Sequence, residues 1–222
     1  MTIYSTTIFR RAASVAAVAA AACLLASHAL ASITVVQNVN SGRPPKDLIV
    51  VFDKAAEGAK SFKPVDLKGN AQFSFADDGA LVIKVTRLGS DISFPFPQEI
   101  DIAKASLVLL TTKLDGQFRT SWQGNWGQWQ PYAGAKMWWG AFVIDADGQR
   151  SAGYANIDAV SPDGWLPTEM KTIRIPAVFF TKRGEGWGDP SQTNAFMITT
   201  TQVRETDERD LTLVIDRLAI AE

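Results

Sequence analysis

Asp77-Asp78-Gly79-Ala80-Leu81-Val82-Ile83-Lys84-Val85-Thr86 is a turn followed by strict alternation. Leu81, Ile83 and Val85 fall on one face of an extended chain, and Val82, Lys84 and Thr86 on the other. That period of two is the signature of a strand with one buried side. The same reading extends outward in both directions. Leu48 to Phe52 is an apolar run ending at Asp53, and Phe73 and Phe75 alternate ahead of the Asp-Gly turn. Ile92, Phe94 and Phe96 repeat the pattern. Leu107 to Leu110 is apolar on both faces, as in a central strand. Trp138 to Ile144 runs into Asp147-Gly148, a hairpin signal. Ile173 and Ile175 precede Pro176, Phe196 and Ile198 sit in a Thr-rich stretch, and Leu211 to Ile220 closes the chain. Helical spacing is absent beyond single turns at Asp53–Lys60 and Pro176–Phe180. Many short strands with Gly and Pro between them predict an all-β protein, a two-sheet jelly-roll β-sandwich. Ile83, Val85, Leu109, Ile173, Ile175, Phe196, Ile198, Leu213 and Ile215 are the expected core.

The first 31 residues read as a signal peptide. Arg10-Arg11 precede a small apolar run from Ala12 to Ala26, and Ala29-Leu30-Ala31 offers a cleavage site before Ser32. The paired arginines admit either the general or the twin-arginine export route. The style of the segment is bacterial, and a periplasmic or secreted protein is expected. Residues 32–46 form a lead-in broken by Pro44-Pro45, and residues 47–222 form the sandwich domain.

Cleavage would remove the only cysteine, Cys23, and the only histidine, His28. A chain without them has no disulfide, no thiol nucleophile, no Ser–His or Cys–His pair and no zinc ligand of the usual kind. Catalysis would have to use carboxylates, Lys, Arg, Tyr or hydroxyls. Loss of Arg10 and Arg11 from the 22 basic residues, against 23 acids, leaves a net charge of about −3. Basic and acidic residues are intermixed, so neither a nucleic-acid surface nor a membrane patch is expected.

Five of the seven tryptophans lie in Ser121-Trp122-Gln123-Gly124-Asn125-Trp126-Gly127-Gln128-Trp129-Gln130-Pro131-Tyr132 and the Trp138-Trp139 pair that follows. The spacers are Gly, Gln, Asn and Ser, not core residues. Large rings among small polar residues point to a surface that meets a partner. Flat rings bordered by amides and a cation suit a saccharide, whose C–H face stacks while its hydroxyls hydrogen-bond. The expected ligand-binding residues are Arg119, Trp122, Trp126, Gln128, Trp129, Tyr132 and Trp139. Strand alternation sends Trp138 and Trp139 to opposite faces. Trp138 shares its side with Phe142 and Ile144 and is expected in the core, which leaves Trp139 for the ligand.

Three segments in this order carry a resemblance: the apolar run ending Phe52-Asp53, the stretch Trp165…Ile175-Pro176…Phe179, and the final Leu213-Val214-Ile215-Asp216-Arg217-Leu218-Ala219-Ile220. The chain from about Leu48 to Ile220 resembles jelly-roll carbohydrate-binding modules and the wider galactose-binding-like superfamily. It is also similar to the domain of complex I intermediate-associated proteins. The resemblance implies a structural Ca²⁺ held by Asp53 and Asp216. It departs at Lys54-Ala55-Ala56, where a glycine-rich turn is usual. The expected function is non-catalytic binding of a polysaccharide or oligosaccharide. Two alternatives stay open. One is a carboxylate-dependent glycoside hydrolase or polysaccharide lyase, with Asp145 and Glu169 as acids not explained by turns. The other is a protein-interaction or assembly domain.

Overall fold

The computed structural model describes residues 46–87, 89–119, 129–131, 139–161, 166–200 and 208–222; Leu48, Arg119 and Trp129 are among those described by backbone alone. The signal segment and residues 32–45 of the lead-in lie outside the described residues. Twelve strands are present among them: β1 (Asp47–Asp53), β2 (Val65–Asp66), β3 (Ala71–Phe75), β4 (Leu81–Arg87), β5 (Asp91–Ile100), β6 (Leu107–Arg119), β7 (Trp129–Pro131), β8 (Trp139–Asp145), β9 (Ala155–Asn156), β10 (Lys171–Pro176), β11 (Thr193–Thr200) and β12 (Glu208–Ala221). All pairings are antiparallel. One sheet has seven strands along the path β10-β6-β12-β4-β3, with β1 joined to β12 and β7 to β6. The other has five, in the order β2-β5-β11-β8-β9. The fold is a two-sheet jelly-roll β-sandwich.

The core is built by the alternation read in the sequence. Leu81, Ile83 and Val85 of β4 are fully buried, as are Leu213 and Ile215 of β12 beside them. Val108, Leu110 and Leu114 of β6 continue the layer, and Leu107 and Leu109 on the other side of that strand are buried too. The five-stranded sheet contributes Ile92 and Phe94 of β5 and Phe196 and Ile198 of β11. Phe94 and Phe196 lie 6.3 Å apart, and Phe180 meets Phe196 edge-on at 6.2 Å. All nine expected core residues are buried.

The hairpin at Asp147-Gly148 is present. Gly148, at φ 79°, lets the chain reverse, and Ile144 bridges Arg150. The two expected helical turns are 3-10 segments, Ala59–Ser61 and Ala177–Phe180, and a single α-helical turn forms at Ile157–Val160. Among the described residues no helix is long and apolar enough to cross a membrane.

Candidate functional site

The pair Trp138-Trp139 orients β8. Trp139 is 0% exposed and shares the inner face of β8 with Ala141 and Val143. In the register with β11, it stands opposite Thr200, with Ala141 opposite Ile198 and Val143 opposite Phe196. Trp139 is therefore a core residue, not a ligand contact. The physical reason is volume. Two small side chains on one face leave room for an indole, so the larger Phe142 and Ile144 point outward. There they pack with Ala195 and Met197 as a second apolar layer on the outer face of the five-stranded sheet.

That outer face carries a chain of side-chain contacts. Tyr154, just before β9, lies against Phe142 of β8 with ring centroids 5.6 Å apart and planes 26° from parallel. Tyr154 remains 51% exposed. The Arg150 guanidinium sits 5.8 Å from the centre of the Phe142 ring, within reach of a cation–π attraction. Beyond Phe142, Arg150 donates to Asp91 of β5. Asp91 also takes a hydrogen bond from the Thr199 hydroxyl of β11 and an ion pair from Lys68 at 3.0 Å. The Asp91 carboxylate is 1% exposed, while the Arg150 side chain is 39% exposed. A buried carboxylate with three partners is stable in place and holds two partly exposed cations in fixed positions. The strip thus runs Lys68, Asp91, Arg150, Phe142, Tyr154. It offers a flat ring and two fixed cationic donors side by side. Val65 and Leu67, both about half exposed, border it at β2.

None of these strip residues was singled out by sequence reasoning. They come from positions 68 to 154, and only strand register brings them together. By alternation, Asp91 and Ser93 share the side of β5 opposite Ile92 and Phe94, which reads as a solvated face, so the burial of Asp91 was not signalled.

Of the expected ligand residues, Trp122, Trp126, Gln128 and Tyr132 lie outside the described residues, as does Trp138. Arg119 pairs with Trp129 in backbone register, where β6 meets β7. Residues 132–138 lead directly into β8, whose Gly140 pairs with Asn156 of β9 two positions from Tyr154.

The expected Ca²⁺ ligands have other partners. Lys54 Nζ lies 2.8 Å from Asp216 Oδ2 and 2.9 Å from Asp78 Oδ2. Asp53 Oδ2 accepts from Arg217 Nε at 3.1 Å, and Arg217 also pairs with Asp47. Hydrogen bonds donated to Asp216 and Asp78 hold the Lys54 ammonium charged well above its ordinary range. One oxygen of Asp216, Oδ1, is buried without a hydrogen bond. Even so, an ammonium already satisfies the other, and no group of three or more acid, His or Cys side chains stands together among the described residues. As placed, Asp53 and Asp216 do not fit a calcium ion.

Of the two acids weighed for catalysis, Asp145 is engaged by structural partners. Asp145 accepts from the backbone N–H groups of Asp147, Gln149 and Asp189 at 2.8–3.0 Å, which is turn and loop fastening. Glu169 is exposed.

No family model matches the chain, and no curated protein matches it. Among solved structures, it is similar to a family 30 carbohydrate-binding module at 12% identity, over 78% of this chain and 98% of that chain, with a TM-score of 0.48. It is similar to a family 29 carbohydrate-binding module at 11% identity, over 78% and 89%, with a TM-score of 0.43. It is also similar to an agarase at 12% identity, over 78% of this chain but 26% of that chain, with a TM-score of 0.41.

Proposed function

We propose that this protein is an exported, non-catalytic carbohydrate-binding domain, and that its ligand lies on the outer face of the five-stranded sheet. The observation that carries the reading is the half-exposed Tyr154 ring stacked on Phe142, with Arg150, Asp91 and Lys68 fixed beside it. A pyranose needs a flat apolar surface for its C–H face and oriented polar groups for its equatorial hydroxyls, and this strip supplies both. Immobile polar groups lose little entropy on binding, which favours a weakly interacting neutral ligand.

The Trp-rich segment enters the reading through the chain path. It ends where β8 begins, at the end of that strand paired with β9. Trp122, Trp126, Gln128 and Tyr132, which precede β8 in the chain, are proposed as further ligand contacts, whereas Arg119 and Trp129 belong to β6 and β7 of the other sheet. Binding is favoured over hydrolysis because the two acids buried among the described residues, Asp91 and Asp145, spend their oxygens on structural partners. A glycosidase needs one carboxyl free as acid and another free as base or nucleophile.

Affinity electrophoresis tests the reading. The protein is run through native gels containing hydroxyethyl cellulose, glucomannan, xylan, agarose or alginate. Retardation in at least one polymer is expected, with loss of retardation in Tyr154→Ala. Equal migration of wild type and variant in every gel would remove the sugar-binding reading.

A further inference from the structure

One large exposed aromatic belongs to neither the Trp-rich segment nor the strip. Trp187 is 53% exposed, in the loop between the 3-10 turn at Ala177–Phe180 and β11. The loop is held firmly. Gly188 donates its N–H to the Arg150 carbonyl at 2.8 Å, and Asp189 donates its N–H to Asp145 Oδ2 at 3.0 Å. Asp189 in turn accepts from the N–H and hydroxyl of Ser191. Two glycines permit the close fit. A Cβ on Gly188 would stand 2.5 Å from the Gln149 carbonyl oxygen. A Cβ on Gly184 would stand 3.1 Å from Trp187 Cδ1 and 3.6 Å from Ala152 Cβ. The indole therefore lies across Gly184, beside residues 149–152.

Those residues are the approach to the strip. Arg150 supplies the guanidinium over Phe142, and Tyr154 follows Ala152 by two residues, at most about 7 Å of extended chain. Trp187 and Tyr154 thus both lie along one short backbone segment, each about half exposed. A ring that merely capped Gly184 would be expected to bury more of its apolar face. A ring fixed on its loop and left open has already lost its conformational freedom, so stacking on it carries little further entropic cost.

We infer that Trp187 is a second stacking platform of the same site, so that the ligand is an extended saccharide chain reaching past the β9 edge and not a single sugar or a disaccharide. This rests on the carbohydrate-binding reading above.

Chain length separates the two platforms. The polymer that retards the wild type most supplies the probes, its hexasaccharide and its disaccharide, titrated calorimetrically against the full chain. Trp187→Ala is expected to lower hexasaccharide affinity about tenfold while disaccharide affinity holds within about twofold. Trp187→Phe is expected to keep most of the hexasaccharide affinity. Tyr154→Ala is expected to lose both ligands. Thermal melts of each variant exclude unfolding as the cause. If Tyr154→Ala loses binding and Trp187→Ala binds the hexasaccharide like wild type, the second platform is overturned and the function stands. Equal loss of both ligands in Trp187→Ala also overturns it. A wild type retarded by no polymer removes the function and the platform together.

Discussion

At the scale of single residues, two aromatic positions test opposite roles. Trp139 fills space between the sheets beside Ala141 and Val143. Trp139→Ala leaves a cavity that rigid strands close poorly, and a cost of roughly 3–5 kcal/mol is expected in urea unfolding. Tyr154 is half exposed and rests on Phe142. Tyr154→Ala is expected to cost about 1 kcal/mol or less by the same measurement, with loss of retardation in polysaccharide gels. The reverse pattern would place Trp139 at the ligand and Tyr154 in the architecture. Arg150 lies between these limits. Arg150→Ala strips one cation from a buried Asp91, but Lys68 and Thr199 remain, and the lost guanidinium was partly in water. Solvent screening discounts the ion pair, so about 1–2 kcal/mol is expected, together with weaker sugar binding.

At the scale of elements, β12 holds the seven-stranded sheet together, pairing with β1, β4 and β6. Its register with β6 shifts between Ile215 and Arg217, so Asp216 sits at an irregularity and not in plain alternation. From there Asp216 meets Lys54, which follows β1 and also pairs with Asp78 of the turn before β4. One ammonium thus ties three elements. Its pH dependence has two limits. Lys54 is raised above its ordinary 10.5, so its contribution is complete below that pH and is lost as pH rises through the raised value. Asp78 is lowered below its ordinary 3.8, first by Lys54 and then by the Ala80 N–H, so its contribution is complete above 3.8 and is lost as pH falls through the lowered value. The difference in melting temperature between wild type and Lys54→Met is expected to stay constant from about pH 5 to 9 and to shrink outside it. A chelator is expected to leave wild-type melting unchanged; a drop reversed by calcium would mean that a metal shares the site with Lys54. The strands themselves were legible, because alternation in β4, β5 and β11 and the double-sided run in β6 report burial directly. The orientation of β8 was not. Two adjacent tryptophans make both faces look apolar, and the face with the smaller neighbours is the one with room for the ring. The Lys68–Tyr154 strip was illegible for another reason: its members meet only through the register of four strands.

At the scale of the whole molecule, composition and architecture bear on one question, whether the working protein is the shortened chain. The described domain begins its first strand at Asp47, and its core draws on residues from Val51 to Ala221. The first 31 residues carry an apolar run that follows Arg10-Arg11 and ends in Ala29-Leu30-Ala31. Removal before Ser32 would take away both Cys23 and His28. A protein so processed is indifferent to the redox state of its surroundings, because it has no thiol to oxidise and no disulfide to reduce. This is consistent with the proposed role of an exported domain that would bind sugars with aromatic rings and fixed ion pairs. The expectation is measurable on protein purified from the periplasmic or culture fraction of an expressing Gram-negative host. Intact mass should correspond to a chain beginning at Ser32, and thiol titration under denaturing conditions should give no free sulfhydryl. The same titration on protein kept in the cytoplasm should give about one per chain. Reductant should leave the melting temperature of the exported form unchanged. Recovery of the uncleaved mass with one thiol from the exported fraction would mean that the first segment stays attached, and the protein would then be anchored by it instead of released.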